Sequence, residues 1–145
     1  MRPKQPRILL IDDNRHGMIA RLDLLESKGF DVTTAASGAG GLRAFDEGEF
    51  DVVVTDYKMP KMGGREVLQG IRDRRPQVPV VILSGCIEQL GLKDELSQIA
   101  DAVLFKGPSE LDDLLRTVSK LVKRAAGSAS RSSESKKGAS LRGRA

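Results

Sequence analysis

Short runs of aliphatic residues recur along the chain, and each leads into a polar or glycine-containing turn. The clearest run, 51–56, places three consecutive valines and a threonine directly before Asp56. A short apolar run bounded by turn residues is typical of a strand buried on both faces. Similar runs predict four more strands, at 7–11, 31–35, 78–83 and 101–105.

Apolar residues at helical spacing predict a helix after each strand. The clearest helix has Ser109 as its N-cap and carries an apolar stripe from Leu111 to Val122. The first helix is predicted to end at Gly29 and to bury one stripe, formed by Met18, Ile19, Leu22 and Leu25. The second helix is predicted to begin at Ser37, and the third to begin at Gly64 and to end before Pro76. A weak fourth helix is predicted around Leu90, Leu92, Leu96 and Ile99, with Gly91 inside it.

This alternation of five strands and five helices predicts a fold of the α/β class. Parallel strands need crossover helices, and these helices cover both faces of the sheet. We therefore expect a doubly wound, five-stranded parallel sheet over residues 7–124, preceded by a short extension at 1–6. Periodicity alone does not determine the strand order.

Charge is distributed unevenly along the 145 residues. The segment 125–145 is rich in Ser, Gly, Lys and Arg and carries the whole net charge of +4, so residues 1–124 are neutral overall. Such a segment buries too little apolar surface to offset its ordering entropy, and we expect it to be disordered. The neutral part lacks the basic surface typical of DNA-binding domains, and the tail is too short and polar for a DNA-binding or catalytic domain.

Cysteine content and hydropathy bear on location. Cys86 is the only cysteine, which excludes an internal disulfide and is compatible with a reducing compartment. No apolar run approaches the roughly 20 residues of a membrane span. We expect a cytoplasmic protein without a membrane segment.

Polar groups stand at the carboxyl ends of four predicted strands. Asp12 and Asp13 follow the first strand, Asp56 ends the third, Ser84 follows the fourth and Lys106 the fifth. Parallel strands bring these ends to one edge of the sheet, where open α/β sheets bind their ligands. Neighbouring carboxylates repel one another unless a cation is present, and hard oxygen ligands suit Mg2+. The pattern indicates a site in which Asp56 acts as a nucleophile toward a phosphoryl group, with the lysine ammonium and the serine hydroxyl beside it.

These residues resemble the receiver (response-regulator) domain of two-component signalling, over roughly residues 7–124. Four segments carry the resemblance in order along the chain: Ile11-Asp12-Asp13, Thr55 to Pro60 with Gly63-Gly64, Leu83-Ser84-Gly85, and Phe105-Lys106. Each segment is weak evidence by itself, but their combined order and spacing are specific. The resemblance implies a flavodoxin-like strand order, 2-1-3-4-5.

The resemblance also implies a role for each matching residue. Asp56 would be the phosphoacceptor, Ser84 the hydroxyl that moves toward the phosphoryl group, and Lys106 the ion-pairing lysine. Mg2+ would be held by Asp56, by Asp13 directly, by Asp12 mainly through water, and by the backbone carbonyl of Lys58.

A single-domain response regulator is the function that this resemblance implies. A histidine kinase or phosphotransfer protein would phosphorylate Asp56. The acyl phosphate would then switch a protein-interaction surface formed by the fourth helix, the fifth strand and the fifth helix. We expect no turnover of a soluble substrate, only self-phosphotransfer and autodephosphorylation, so the chain is not expected to be an enzyme.

Two residues depart from the family pattern. Val103 stands where the family usually has an aromatic residue that changes rotamer on activation, and Gly107 replaces a proline that follows the lysine through a cis bond. These departures favour an alternative, a pseudo-receiver that acts as a phosphorylation-independent interaction module. A metal-dependent hydrolase or a nucleotide-binding protein is a further alternative, which turnover of a phosphate ester or tight nucleotide binding would favour.

Overall fold

The computed structural model describes residues 5–85 and 95–139, and within these ranges a helix follows each of the first three strands and the last one, as the sequence predicts. The elements in chain order are β1 (Arg7–Ile11), α1 (Arg15–Ser27), β2 (Asp31–Ala35), α2 (Gly38–Glu47), β3 (Val52–Asp56), α3 (Gly64–Arg74), β4 (Val80–Ser84), β5 (Ala102–Phe105) and α4 (Glu110–Ala139). Helix α4 corresponds to the fifth predicted helix. The weak fourth helix lies largely in 86–94, outside the described residues, as does Cys86.

All five strands are parallel and follow the order β2-β1-β3-β4-β5. The predicted α/β class, doubly wound sheet and flavodoxin-like order are therefore confirmed. The register aligns Ile11 with Thr55, Asp56 with Leu83, and Ser84 with Phe105. Because these pairs lie at the carboxyl ends of their strands, the residues that follow them meet at one edge of the sheet.

Two apolar clusters, one on each face of the sheet, form the core. Side chains alternate between the two faces along each strand, so Val53 belongs to one cluster and its neighbour Val54 to the other. Phe45 of α2 and Ile71 of α3 pack against the first face. The second face packs against α1 and α4, through residues that include Leu25, Leu114, Val118 and Leu121. Burial on both faces explains why the central strands are continuous apolar runs rather than alternating ones.

Side-chain caps define the starts of the first two helices. Asn14 caps α1 by accepting a hydrogen bond from the Gly17 amide, at 2.9 Å. Ser37 caps α2 in the same way through the Gly40 amide, at 3.0 Å, as the sequence predicts. Each oxygen satisfies an amide that has no partner within its helix.

The predicted buried stripe of α1 is wrong at one position. Ile19 is 47% exposed, whereas Arg21 is only 5% exposed and faces the protein interior with Leu25. The positions i and i+4 share a helix face, so a face centred on Arg21 and Leu25 turns Ile19 toward solvent.

The last helix, α4, includes residues 125–139. The predicted domain boundary at 124 and the predicted disordered tail at 125–145 stay predictions. The stretch 125–139 contains four alanines, two lysines, one arginine and one glutamate, which favour helix locally, together with five serines and two glycines, which favour it less, and it extends a helix that Leu114 and Val118 already anchor. Residues 140–145 lie outside the described part.

Two further observations concern the backbone and the hydropathy of the helices. Among residues 5–85 and 95–139 there is no cis peptide bond, so the Gly107–Pro108 bond is trans. No helix in these ranges combines the length and the apolar character needed to cross a bilayer.

Candidate functional site

Three carboxylates lie together at the carboxyl edge of the sheet. Each of Asp12, Asp13 and Asp56 places one oxygen so that all three oxygens are within 4.8 Å of one another. Asp12 is 1% exposed and Asp56 is 5% exposed, whereas Asp13 is open to solvent. The sequence predicted this convergence from strand ends that lie 44 positions apart.

The backbone around Asp56 is held by the neighbouring strand and by the following loop. The Tyr57 amide donates to the Leu83 carbonyl at 2.8 Å, and the Gly64 amide donates to the Tyr57 carbonyl at 2.7 Å. A Cβ on Gly64 would lie 2.6 Å from the Asp56 carbonyl oxygen, so the start of α3 packs directly on this backbone. The Asp56 carboxylate therefore projects from a rigid support.

Lys106 forms an ion pair with Asp56. Its Nζ lies 2.5 Å from Asp56 Oδ1, and the side chains are 25% and 7% exposed, respectively. The Lys106 amide donates to the Ser84 carbonyl at 2.9 Å, which ties the residue to the end of β4. The lysine thus compensates the buried carboxylate from the end of β5, across the end of β4.

The pKa of Asp56 lies above its ordinary value. Burial raises it most, because the charged form loses its hydration, and the negative charge of Asp12 raises it further. The hydrogen bond and charge of Lys106 act in the opposite direction, as does the charge of Arg21, but they do not cancel the effect of burial. An added cation would therefore favour the charged carboxylate that a nucleophile needs.

The other predicted site residues lie at the same edge of the sheet. Ser84 ends β4, is 9% exposed, and faces Phe105 in the strand register. Lys58 lies in the loop between β3 and α3, two residues after Asp56, with an exposed side chain. In the same loop Lys61 has a φ of 68°, a left-handed conformation that is uncommon for a residue with a side chain.

Arg21 is a site residue that the sequence reasoning missed. One of its guanidinium nitrogens, NH1, contacts Asp12 Oδ2. Its Nε lies 2.5 Å from Glu110 Oε2, and its NH2 lies 3.2 Å from Glu110 Oε1. The available signal was a basic residue four positions before Leu25, on the side of the helix that packs inward.

Surrounding charges determine the protonation of Arg21. Burial alone would lower its pKa, but Glu110, Asp12 and Asp56 together raise it above its ordinary value. The side chain therefore carries a permanent positive charge within the protein.

The donor set of this edge fits a hard divalent cation. Three carboxylates converge, while Lys106 and Arg21 supply the two cations that contact them within the described residues. Mg2+ prefers oxygen ligands and commonly uses one or two carboxylates, a carbonyl, waters and phosphate oxygens. The residues present are compatible with that coordination.

Comparisons with known proteins point to one family. A family model described as the response regulator receiver domain matches residues 8–119. Transcriptional regulatory protein PrrA of Mycobacterium tuberculosis is 33% identical over 132 residues, which is 89% of this chain and 55% of PrrA. The chain thus spans about half the length of PrrA, and other curated relatives match it over a smaller share of their length, 19% for GlrR of Escherichia coli and 12% for the sensor kinase CckA of Brucella abortus.

Solved structures agree with the family match. A receiver domain protein from Clostridium thermocellum is 35% identical, with a TM-score of 0.75, and the match covers 82% of this chain and 95% of that one. The response regulator TrrA of Thermotoga maritima, crystallised in complex with Mg2+ and BeF, is 29% identical, with a TM-score of 0.73. That match covers 81% of this chain and 99% of TrrA.

Proposed function

This chain belongs to the response regulator receiver family, and we propose that it accepts a phosphoryl group on Asp56. The observation that carries the proposal is the position of Asp56. It is a nearly buried carboxylate, paired with Lys106 and clustered with Asp12 and Asp13 at the ligand-binding edge of the sheet.

The proposed reaction is phosphoryl transfer from a phosphohistidine of a histidine kinase or phosphotransfer protein. An Asp56 carboxylate oxygen attacks phosphorus, and the new O–P bond forms as the histidine N–P bond breaks. The imidazole nitrogen keeps the bonding electron pair and later takes a proton from solvent. The product is an acyl phosphate on Asp56 and a free histidine on the donor.

Mg2+ fits the carboxylate cluster as the cofactor of this reaction. Asp13 and Asp56 would hold it directly, Asp12 mainly through water, and the Lys58 carbonyl would complete the protein ligands. When bound, the ion neutralises charge on the phosphoryl oxygens and on the cluster.

Ser84 and Lys106 would act on the phosphoryl group from the ends of β4 and β5. The ammonium group of Lys106 already lies beside the Asp56 oxygen, so it can pair with a phosphoryl oxygen without a large movement. The Ser84 hydroxyl, at the end of β4, can donate to a second phosphoryl oxygen. Both groups stabilise the charge that Asp56 gains on phosphorylation.

The phosphorylated state would act through protein contact. We propose that it shifts a two-state equilibrium in the surface formed by the predicted fourth helix, β5 and α4, where an output protein binds. The chain would work in the cytoplasm and would turn over no soluble substrate, its chemistry being limited to its own phosphorylation and dephosphorylation.

A pseudo-receiver is the second candidate, and Val103 favours it. The side chain of Val103 is partly buried and packs against one of the two core clusters. It stands where the family usually has an aromatic residue that changes rotamer on activation. Valine at this position has no comparable second state, so this route of signal transmission would be absent. The phosphorylation-independent interaction module then becomes the alternative.

Intact mass spectrometry after incubation with acetyl phosphate and Mg2+ tests the proposal. We expect one phosphoryl adduct on the parent protein and on Asp23→Asn, a control that alters an exposed aspartate of α1. We expect none on Asp56→Asn. A parent protein that remains unmodified would support the pseudo-receiver instead.

A further inference from the structure

We infer that Arg21 is a built-in counterion that competes with Mg2+ for Asp12, and that Glu110 tunes this competition by drawing the guanidinium away. The inference rests on the proposed Mg2+ site. It adds a residue of α1 and a residue of α4 to the groups that determine the occupancy of that site.

Both oxygens of Asp12 are already engaged. Oδ1 accepts a hydrogen bond from the Asn14 amide at 2.9 Å, and Oδ2 contacts Arg21. A cation that needs an Asp12 oxygen, or a water bound to one, must therefore share the carboxylate with these donors or displace one of them, and of the two only the guanidinium carries a full positive charge. Since like charges repel, sharing raises the free energy of the occupied site.

Glu110 offers Arg21 an alternative position. Arg21 divides its donors between the two carboxylates, with NH1 on Asp12 and with Nε and NH2 on Glu110. The planar guanidinium can pair with a carboxylate through two parallel hydrogen bonds, so Glu110 can retain Arg21 when Asp12 is occupied by another cation. Arg21 then stays compensated although the contact with Asp12 is lost.

The packing around Arg21 is specific to this arrangement. Gly17 lies one turn before Arg21, and a Cβ at position 17 would lie 2.9 Å from Arg21 NH1. The Arg21 side chain is 6% exposed and that of Glu110 is 13% exposed, so water screens these charges little. Bare backbone at Gly17 therefore leaves the space in which a buried guanidinium can lie between the two acids.

The same contacts connect the site to the last helix. Glu110 is the first residue of α4, and its amide donates to the Gly107 carbonyl, just after Lys106 in the chain, at 3.1 Å. When Arg21 moves from Asp12 toward Glu110, the charge that faces the first turn of α4 changes. Occupancy of the acidic cluster is thereby coupled to the N-terminus of α4.

Mg2+ titration of the 145-residue parent, of Arg21→Met, of Glu110→Gln and of the double variant tests the inference. Tyr57 follows Asp56 and is the only tyrosine in a chain without tryptophan, so its fluorescence reports on the site alone. Removing a buried positive charge beside the site should tighten Mg2+ binding on the order of tenfold in Arg21→Met. Glu110→Gln should weaken binding several-fold, because Arg21 then pairs with Asp12 alone. In the double variant the Glu110→Gln effect should vanish.

Arg15→Met is the matched control, because it removes an exposed arginine from the start of the same helix. We expect little change in its Mg2+ affinity. If Mg2+ affinity rose equally in Arg15→Met and Arg21→Met, the change in net charge alone would explain the effect, and the inference would be overturned. Arg21→Met binding Mg2+ no more tightly than the parent would also overturn it.

Two outcomes separate this inference from the proposed function. If the parent shows no Mg2+ response, the proposed site fails and the inference fails with it. If the parent responds but Glu110→Gln does not bind more weakly, only the inference fails. If Arg21→Met does not fold, Arg21→Lys and Glu110→Gln test the inference instead. The shorter lysine side chain cannot bridge both acids, so the Arg21→Lys protein should bind Mg2+ more tightly than the parent.

Discussion

Lys106 Nζ lies 2.5 Å from Asp56 Oδ1, and this pair joins the third and fifth strands of the sheet across the end of the fourth. The contact compensates one buried carboxylate, but burial still raises the pKa of Asp56 above its ordinary value. The cluster is therefore under electrostatic strain in the absence of a divalent ion, and the first prediction follows from that strain.

Asp56→Asn should stabilise the metal-free protein at neutral pH, by about 1–2 kcal/mol, because it removes a charge from a desolvated acidic cluster. Because the pKa of Asp56 is raised in the folded state, the protonated carboxyl stabilises the fold at a pH below the ordinary carboxyl pKa of 3.8. This contribution to stability is lost as the pH rises through the folded-state pKa. The advantage of Asp56→Asn over the parent should therefore grow with pH across that acidic window. Urea unfolding in EDTA at several pH values measures it, and a pH-independent difference would contradict it.

Mg2+ should raise the melting temperature of the parent, because a ligand that binds only the folded state stabilises that state by mass action. Asp13→Asn should remove most of this response while leaving the metal-free protein intact, since Asp13 is exposed. Thermal denaturation with increasing Mg2+ and with EDTA provides the measurement, and Asp23→Asn serves as the control. An undiminished Mg2+ response in Asp13→Asn would exclude Asp13 as a ligand.

Gly64→Ala should destabilise the protein by about 2–3 kcal/mol, because the new Cβ would overlap the Asp56 backbone. Gly70→Ala in the same helix is the matched comparison. Its Cβ would meet the ends of two side chains, those of Leu42 and Arg74, rather than backbone, and side-chain ends can move more readily. Chemical denaturation should rank Gly64→Ala well below Gly70→Ala in stability, and acetyl phosphate labelling of Asp56 should fall only in Gly64→Ala.

Lys58→Ala should change the lifetime of the phosphorylated protein. The exposed Lys58 side chain lies two residues after Asp56, where its charge can affect the approach of water to the acyl phosphate. The decay of the phosphoprotein, followed by intact mass after removal of the phosphodonor, measures the effect. Lys28→Ala, which alters an exposed lysine after α1, is the control, and equal decay in the parent and Lys58→Ala would rule the effect out.

The sheet and the acidic edge were predictable because their signals are local. A strand buried on both faces must be largely apolar, so the apolar run within 52–56 predicts such a strand from the sequence alone. Crossover connections then place the ends of parallel strands at one edge, which brings Asp12, Asp56 and Lys106 together. Ser37 as a helix cap was predictable for the same reason, since its partner lies three residues away.

The role of Arg21 was decided by the tertiary structure alone. Apolar spacing on α1 allowed more than one inward face, and an arginine on that helix ordinarily lies in solvent. Its burial depends on Asp12, which is nine residues away, and on Glu110, which is 89 residues away, and no local pattern links these three positions. The exposure of Ile19 has a similar origin, because packing against the rest of the fold determines the rotation of a helix.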